Sequence, residues 1–188
     1  VETIVGEHDS PRRRCEFYRR VCLLPAVFEP RSGAITMNAG LVWAVVFDAA
    51  LGSAVRDELR DRDVSGPIIS HPDTATWTLL TRSDIPVPLL VEIEQWDTRV
   101  RVLRGGSRPP PPPTRRREPV RLDDVVEPAP VADVITLPSP TDQGHRLRQW
   151  IVEANDDVRP SGVVVVDAVR AAIRRADTTA DRARAGTP

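Results

Sequence analysis

Residues 41–60 read LVWAVVFDAALGSAVRDELR. Leu41 to Phe47 is apolar at every position and carries three valines, a tryptophan and a phenylalanine. The run is too short to cross a bilayer and too dense for a half-solvated strand, so it predicts a central strand. Asp48 then stands where a helix N-cap belongs. Behind it Ala50, Leu51, Ala54, Val55 and Leu59 recur at helical spacing and carry a helix through Arg62. The apolar period changes at Asp48 from two to about 3.6 residues, which sets a strand followed by a helix.

Working outward, Gly66-Pro67 breaks that helix. GPIISHPDTATWTLLTR (66–82) reads as a hairpin: a strand over Pro67–Ser70, a turn over His71–Thr74 and a strand over Ala75–Thr81. A helix is expected over Val87–Trp96. A strand over Arg99–Leu103 follows, alternating Arg and Val and closed by Gly105-Gly106. Strand, helix, strand, strand, helix, strand is the order of a ferredoxin-like or RRM-like βαββαβ core, here over 34–104, in an α+β fold. In that arrangement LVWAVVF and ATWTLLT are central neighbours and both helices cover one sheet face. Leu41, Trp43, Val45 and Phe47 share a face, as do Ala75, Trp77, Leu79 and Thr81. On an uncovered face, Trp43 and Trp77 would be candidates for base stacking in nucleic-acid binding. The competing expectation is that both are core, covered by the amino-terminal helix or by the late strands.

The flanks add two layers and an insert. Ser10-Pro11 starts a helix, and Cys15, Tyr18 and Cys22 give it an apolar stripe that Pro25 ends, so 1–33 reads as an N-terminal helical segment. Cys15 and Cys22 lie roughly 10.5 Å apart along that helix, beyond disulfide reach. They read as small core residues rather than as metal ligands with His8. AITM (34–37) is a short strand. Residues 105–132, largely SRPPPPPTRRREPVRLDDVVEPAPVA, read as a disordered or polyproline II insert. Its Pro110-x-x-Pro113-x-Arg115 matches a PxxP ligand. Arg115, Arg116 and Arg117 are candidate contacts to nucleic acid or to an acidic partner, offset by Glu118, Asp123, Asp124, Glu127 and Asp133. The insert separates Arg99–Leu103 from Asp133–Leu137, which are expected to pair. Residues 133–176 supply completing strands (133–138 and about 147–152) and a helix over Val163–Ala176, and 177–188 reads as a flexible tail.

Composition narrows the class. The formal net charge is −1, and all 26 basic residues are Arg. Without a basic excess the chain as a whole is not expected to be a strong binder of nucleic acid or anionic membranes, which leaves local patches open. Arg-only usage with abundant Ala, Val, Pro and Asp points to GC-rich coding, which an actinobacterial source would fit. VETIVGEHDSPRRR has no apolar stretch of a secretory signal, so a cytoplasmic location is expected. The acids Asp156-Asp157 read as solvated loop residues, and His145 lies beside Arg146. No Walker loop, HExxH or nucleophile elbow occurs.

Three segments, ITMNAGLVWAVVFDAALGSAVRDEL, GPIISHPDTATWTLLTRSDIP and DVITLPSPTDQGHRLRQWI, resemble a group of short actinobacterial proteins. These are related to the amino-terminal domain of bifunctional DNA primase/polymerases, and some are labelled DNA-directed RNA polymerase subunit beta. The resemblance implies an RNA-recognition-like module and a link to nucleic-acid metabolism. Polymerases of that kind carry Asp-x-Asp or Asp-x-Glu after the first core strand, and a small residue two before a His. Here Asp48 is followed by Ala50, and Ile69 precedes His71. The expectation is therefore a non-catalytic binding or regulatory protein, with no catalytic residues, metal or cofactor and with a protein or nucleic-acid partner. The alternatives are a divalent-metal-dependent nucleotidyl transferase using Asp48 and His71, and a protein-interaction module using the Pro/Arg insert.

Overall fold

In the computed structural model the expected central strand is β3 (Val42–Asp48), and the strand after the hairpin turn is β5 (Thr76–Arg82). They pair antiparallel from Val42↔Arg82 to Asp48↔Thr76. The structure describes residues 10–96, 100–105, 133–142 and 147–185. Its other elements are α1 (Pro11–Arg20), β1 (Ala26–Phe28), β2 (Ile35–Asn38), α2 (Gly52–Asp61), β4 (Ile68–His71), α3 (Val87–Glu94), β6 (Val100–Leu103), β7 (Val134–Leu137), β8 (Gln149–Val152) and α4 (Gly162–Ala185). The class is α+β. A five-stranded antiparallel sheet has the order β6-β3-β5-β4-β8, and a three-stranded antiparallel sheet has the order β1-β2-β7.

The five-stranded sheet is buried on both faces. Val45, Phe47, Leu79 and Ile68 meet α2 through Val55 and Leu59, α3 through Leu90 and Ile93, and α4 through Val165, Val166 and Val169. Ala44, Ile69, Leu80 and Leu103 point the other way. They join Cys15, Tyr18 and Cys22 of the α1 segment with Ile35, Met37, Ile135 and Leu137 of the small sheet. The molecule is thus layered as helices, large sheet, then small sheet with α1. Each fully buried aliphatic side chain in these two cores contributes about 1.5–3 kcal/mol.

Polar contacts fix how the layers sit. Tyr18 Oη donates to the Pro138 carbonyl at 2.9 Å and accepts from Trp150 Nε1 at 2.9 Å. Burial pushes the Tyr18 phenol up to about 12, so it stays a donor. Cys22 Sγ donates to the Ala154 carbonyl at 3.0 Å. On the helix side, the buried Glu58 carboxylate of α2 is paired with Arg62 at 3.5 Å and with Arg175 of α4. Arg170 of α4 bonds Asp167 and Glu92, each at 2.8 Å, and stands over the Trp96 ring at 5.3 Å.

Several boundaries and partners differ from expectation. β7 pairs with β2, in the register Ile35↔Leu137 to Asn38↔Val134, and not with β6. Both β2 and β7 alternate buried and less buried residues, so they match as one-sided strands of a separate sheet. β8 instead adds to β4, at one edge of the large sheet. Leu41 is 88% exposed, and β3 starts at Val42. His71 is the last residue of β4 and not part of the turn, which falls on Pro72–Ala75 and places Ala75 at φ 50°. α4 continues to Ala185 because no Gly or Pro interrupts DTTADRARA. Asp48 accepts no capping hydrogen bond, since a short 3₁₀ turn, Ala49–Leu51, stands between β3 and α2.

Gly52 opens α2 beneath the Trp77 indole. A Cβ there would lie 2.6 Å from Trp77 Cε3. In an unobstructed helix, Gly→Ala stabilises by up to about 1 kcal/mol. Here overpacking reverses the sign, and Gly52→Ala should lower stability by about 1–3 kcal/mol. Urea unfolding checks this: the midpoint falls for Gly52→Ala, and adding Trp77→Leu recovers part of the loss.

Candidate functional site

The polar residues of the large sheet gather at one end of the face turned towards the small sheet. Asp48 of β3 lies opposite Thr76 of β5, and Thr76 lies opposite His71 of β4. By alternation all three share the face of Ala44, Leu80 and Ile69. Asp48 and His71 are therefore two strand spacings apart, roughly 10 Å between Cα atoms. His71 Nε2 is 2.9 Å from Thr78 Oγ1, on the same face. Thr74 Oγ1 lies 2.8 Å from Thr76 Oγ1 and donates to the His71 carbonyl at 3.4 Å. The row is a cross-strand ladder of one carboxylate, hydroxyls and one imidazole.

The loop after β7 and the start of β8 border this row. Arg148 Nη1 bonds Asp142 Oδ1 at 3.2 Å, with both side chains largely buried, and Asp142 Oδ2 accepts from the Ser139 amide at 3.0 Å. Ser139 Oγ in turn donates to the Gly33 carbonyl at 2.8 Å, and Thr141 Oγ1 does so at 3.2 Å. Gly33 has φ 72°, and a Cβ there would meet Thr141 Oγ1 at 2.6 Å. The turn between β1 and β2 needs glycine on both counts. Asp142 is thus committed to the loop, and Arg148 is committed to Asp142.

Electrostatically, His71 is held neutral. Burial lowers its pKa from the ordinary 6.5, and the Arg148 charge lowers it further, against smaller opposing effects of Asp73 and Asp142. A neutral imidazole bonded to a threonine can accept a proton or bind a metal. Among the described residues, however, no three His, Cys, Asp or Glu side chains converge on a metal position. Two-metal phosphoryl transfer needs carboxylates holding ions about 3.5–4 Å apart. The row supplies one carboxylate, Asp48, at its exposed end.

The two tryptophans stand elsewhere. Trp43 and Trp77 are half-buried on the helix-facing side and pack against the second core. Trp77 lies over Gly52 with its ring centroid 6.5 Å from that of Phe47. An open stacking platform would need these rings on a bare sheet face, and α2, α3 and α4 occupy that side instead. The core expectation also had the wrong cover, since neither α1 nor the late strands lie over them. Arg115, Arg116 and Arg117, the PxxP match, His8 and His145 lie outside the described residues. Asp142 is not among the residues singled out in the sequence, although Ser139-Pro-Thr-Asp142 has the Ser-x-x-Asp spacing in which a carboxylate reaches back to a backbone amide.

Compared with known proteins, the chain matches no protein-family model, no curated protein and no solved structure. No described helix is long and apolar enough to cross a membrane.

The lowered His71 pKa has a definite pH signature. The folded state binds a proton there less tightly than the unfolded chain, so stability falls as pH drops through 6.5 towards the lower folded value and is fully present above it. Unfolding midpoints measured from pH 7.5 to pH 5 should show His71→Gln losing less stability over this window than the parent. A parallel loss in both proteins would mean that His71 does not carry the effect.

Proposed function

We propose that the chain is a non-catalytic binding or regulatory protein built on a ferredoxin-like core, related to the primase-polymerase module and active in nucleic-acid metabolism in the cytoplasm. The strand order β6-β3-β5-β4, with β3 and β5 central and α2 and α3 on one face, supports the ferredoxin-like reading. The non-catalytic reading rests on one observation. The sheet face away from those helices, where a substrate would lie, is filled by Tyr18, Ile35, Met37 and Leu137. At one end of that face lies the Asp48–Thr76–His71 row, which offers one carboxylate, and Ala50 stands at the position where the resemblance would require a second.

A second reading, a divalent-metal-dependent nucleotidyl transferase, is favoured by the alignment of Asp48 and His71 on one face across a single intervening strand. One assay separates the two. With Mg²⁺ or Mn²⁺, a primed template and all four nucleotides, the purified protein should incorporate no more nucleotide than its Asp48→Ala/His71→Ala variant. Incorporation that exceeds this background and drops at least about a hundredfold in Asp48→Asn would establish the transferase instead.

A further inference from the structure

A second surface carries chemistry that the sheet does not. α1 holds Arg12, Arg13, Arg14, Arg19 and Arg20 against Glu16 alone, a net +4 within a chain whose net charge is −1. Three of these arginines occupy the first turn, where the helix dipole disfavours positive charge, and Arg12 is paired with Glu16 one turn on at 3.9 Å. The Ser10 hydroxyl, accepting from the Arg13 amide at 3.3 Å, and Pro11 hold the turn in place regardless.

Between α1 and the segment following β8 runs a groove of about 370 Å³, lined by Arg13, Arg14, Phe17, Trp150, Glu153 and Asn155 among others. Arg13, Phe17 and Arg20 follow one another at four and three residues, so they form one flank of the helix. Phe17 is 36% exposed. Trp150 is half-buried and its ring is locked, since Nε1 donates to Tyr18 Oη and the Tyr18 ring meets it edge-on at 5.9 Å. The groove therefore has an arginine rim, two aromatic walls and, on the far side, one carboxylate and one amide.

We infer that this groove binds single-stranded nucleic acid, with phosphates along Arg13, Arg14 and Arg20 and a base against Phe17 and Trp150. Positive grooves with aromatic walls take single strands in this way, because every base has a face to stack. Glu153 decides against an acidic peptide or an anionic lipid surface. Either would bring negative charge to the far wall, whereas a nucleotide brings a neutral base there with amino or ring N–H groups to offer. The site is separate from the Asp48–His71 row and stands whether or not that row is catalytic.

The test is fluorescence anisotropy of a labelled single-stranded DNA 12-mer titrated with the full chain. Saturable binding is expected, weakening roughly 20-fold from about 50 to about 200 mM salt if three phosphates are neutralised. Phe17→Ala should weaken it at least about fivefold. Arg13→Glu/Arg20→Glu should abolish it, while Arg12→Glu/Arg19→Glu, on the flank facing β1, should cost much less; circular dichroism melting verifies that each variant is folded. The inference is overturned by absent binding at the lower salt, by equal losses in the two double variants, or by polyglutamate or phosphatidylserine vesicles competing as well as unlabelled DNA.

Discussion

The pairing of β3 with β5 is the constraint from which the rest of the structure follows. Ala44, Val45, Phe47, Leu79 and Leu80 are each essentially inaccessible to solvent, and they divide between the two faces of the sheet. A strand pair that is apolar on both sides cannot be half-solvated, so each face must acquire a cover. α2, α3 and α4 provide one. The other is assembled from two ends of the chain, α1 with β1 and β2 from the beginning and β7 from beyond the insert. The small sheet is thus the lid that the central strands require rather than an appendage to them.

Hydrophobic cover is non-directional, and polar contacts give it a single arrangement. Tyr18 is the clearest case, since its hydroxyl joins α1 to Pro138, the residue after β7, and to Trp150 of β8 at once. Arg159 adds a bond from Nη2 to the Cys22 carbonyl at 2.8 Å. The same contacts that seal the sheet orient α1, so that Cys15 and Tyr18 turn inwards and the arginines turn outwards. Sealing one face of the sheet and displaying a basic, aromatic groove on the outside are two results of one docking.

Much of the large sheet was legible in the sequence. The density of LVWAVVF, the His-Pro-Asp turn and the Gly-Pro break each carry a local physical signal, and β3, β4, β5, α3 and β6 lie where those signals put them within a few residues. What covers each face was not legible. Period-two alternation says that Trp43, Val45 and Phe47 share a side, but not which layer meets that side, and the tryptophans were assigned accordingly to the wrong neighbours. The partner of β7 was equally hidden, because four-residue strands such as ITMN and VITL carry too little pattern to choose among edges. The polar row was half visible: Asp48 and His71 stood out by residue type, whereas their alignment across Thr76 depends on register. The α1 groove was invisible for a related reason, since Phe17 and Trp150 are far apart in sequence and meet only once β8 joins the sheet.

The central claim, that the sheet face is sealed by α1 and the small sheet, is tested most directly by its cysteines. Cys15 and Cys22 are the only two in the chain, both are free and buried in the sealed core, and burial raises both thiol pKa values. The measurement is the rate of their reaction with an aromatic disulfide reagent, followed alongside far-ultraviolet circular dichroism across a denaturant series. Both thiols should be silent in native buffer and react only as fast as the whole protein unfolds. Stoichiometric labelling of either thiol while the helical signal remains native would mean that α1 lifts away from the sheet, and would contradict the sealed face.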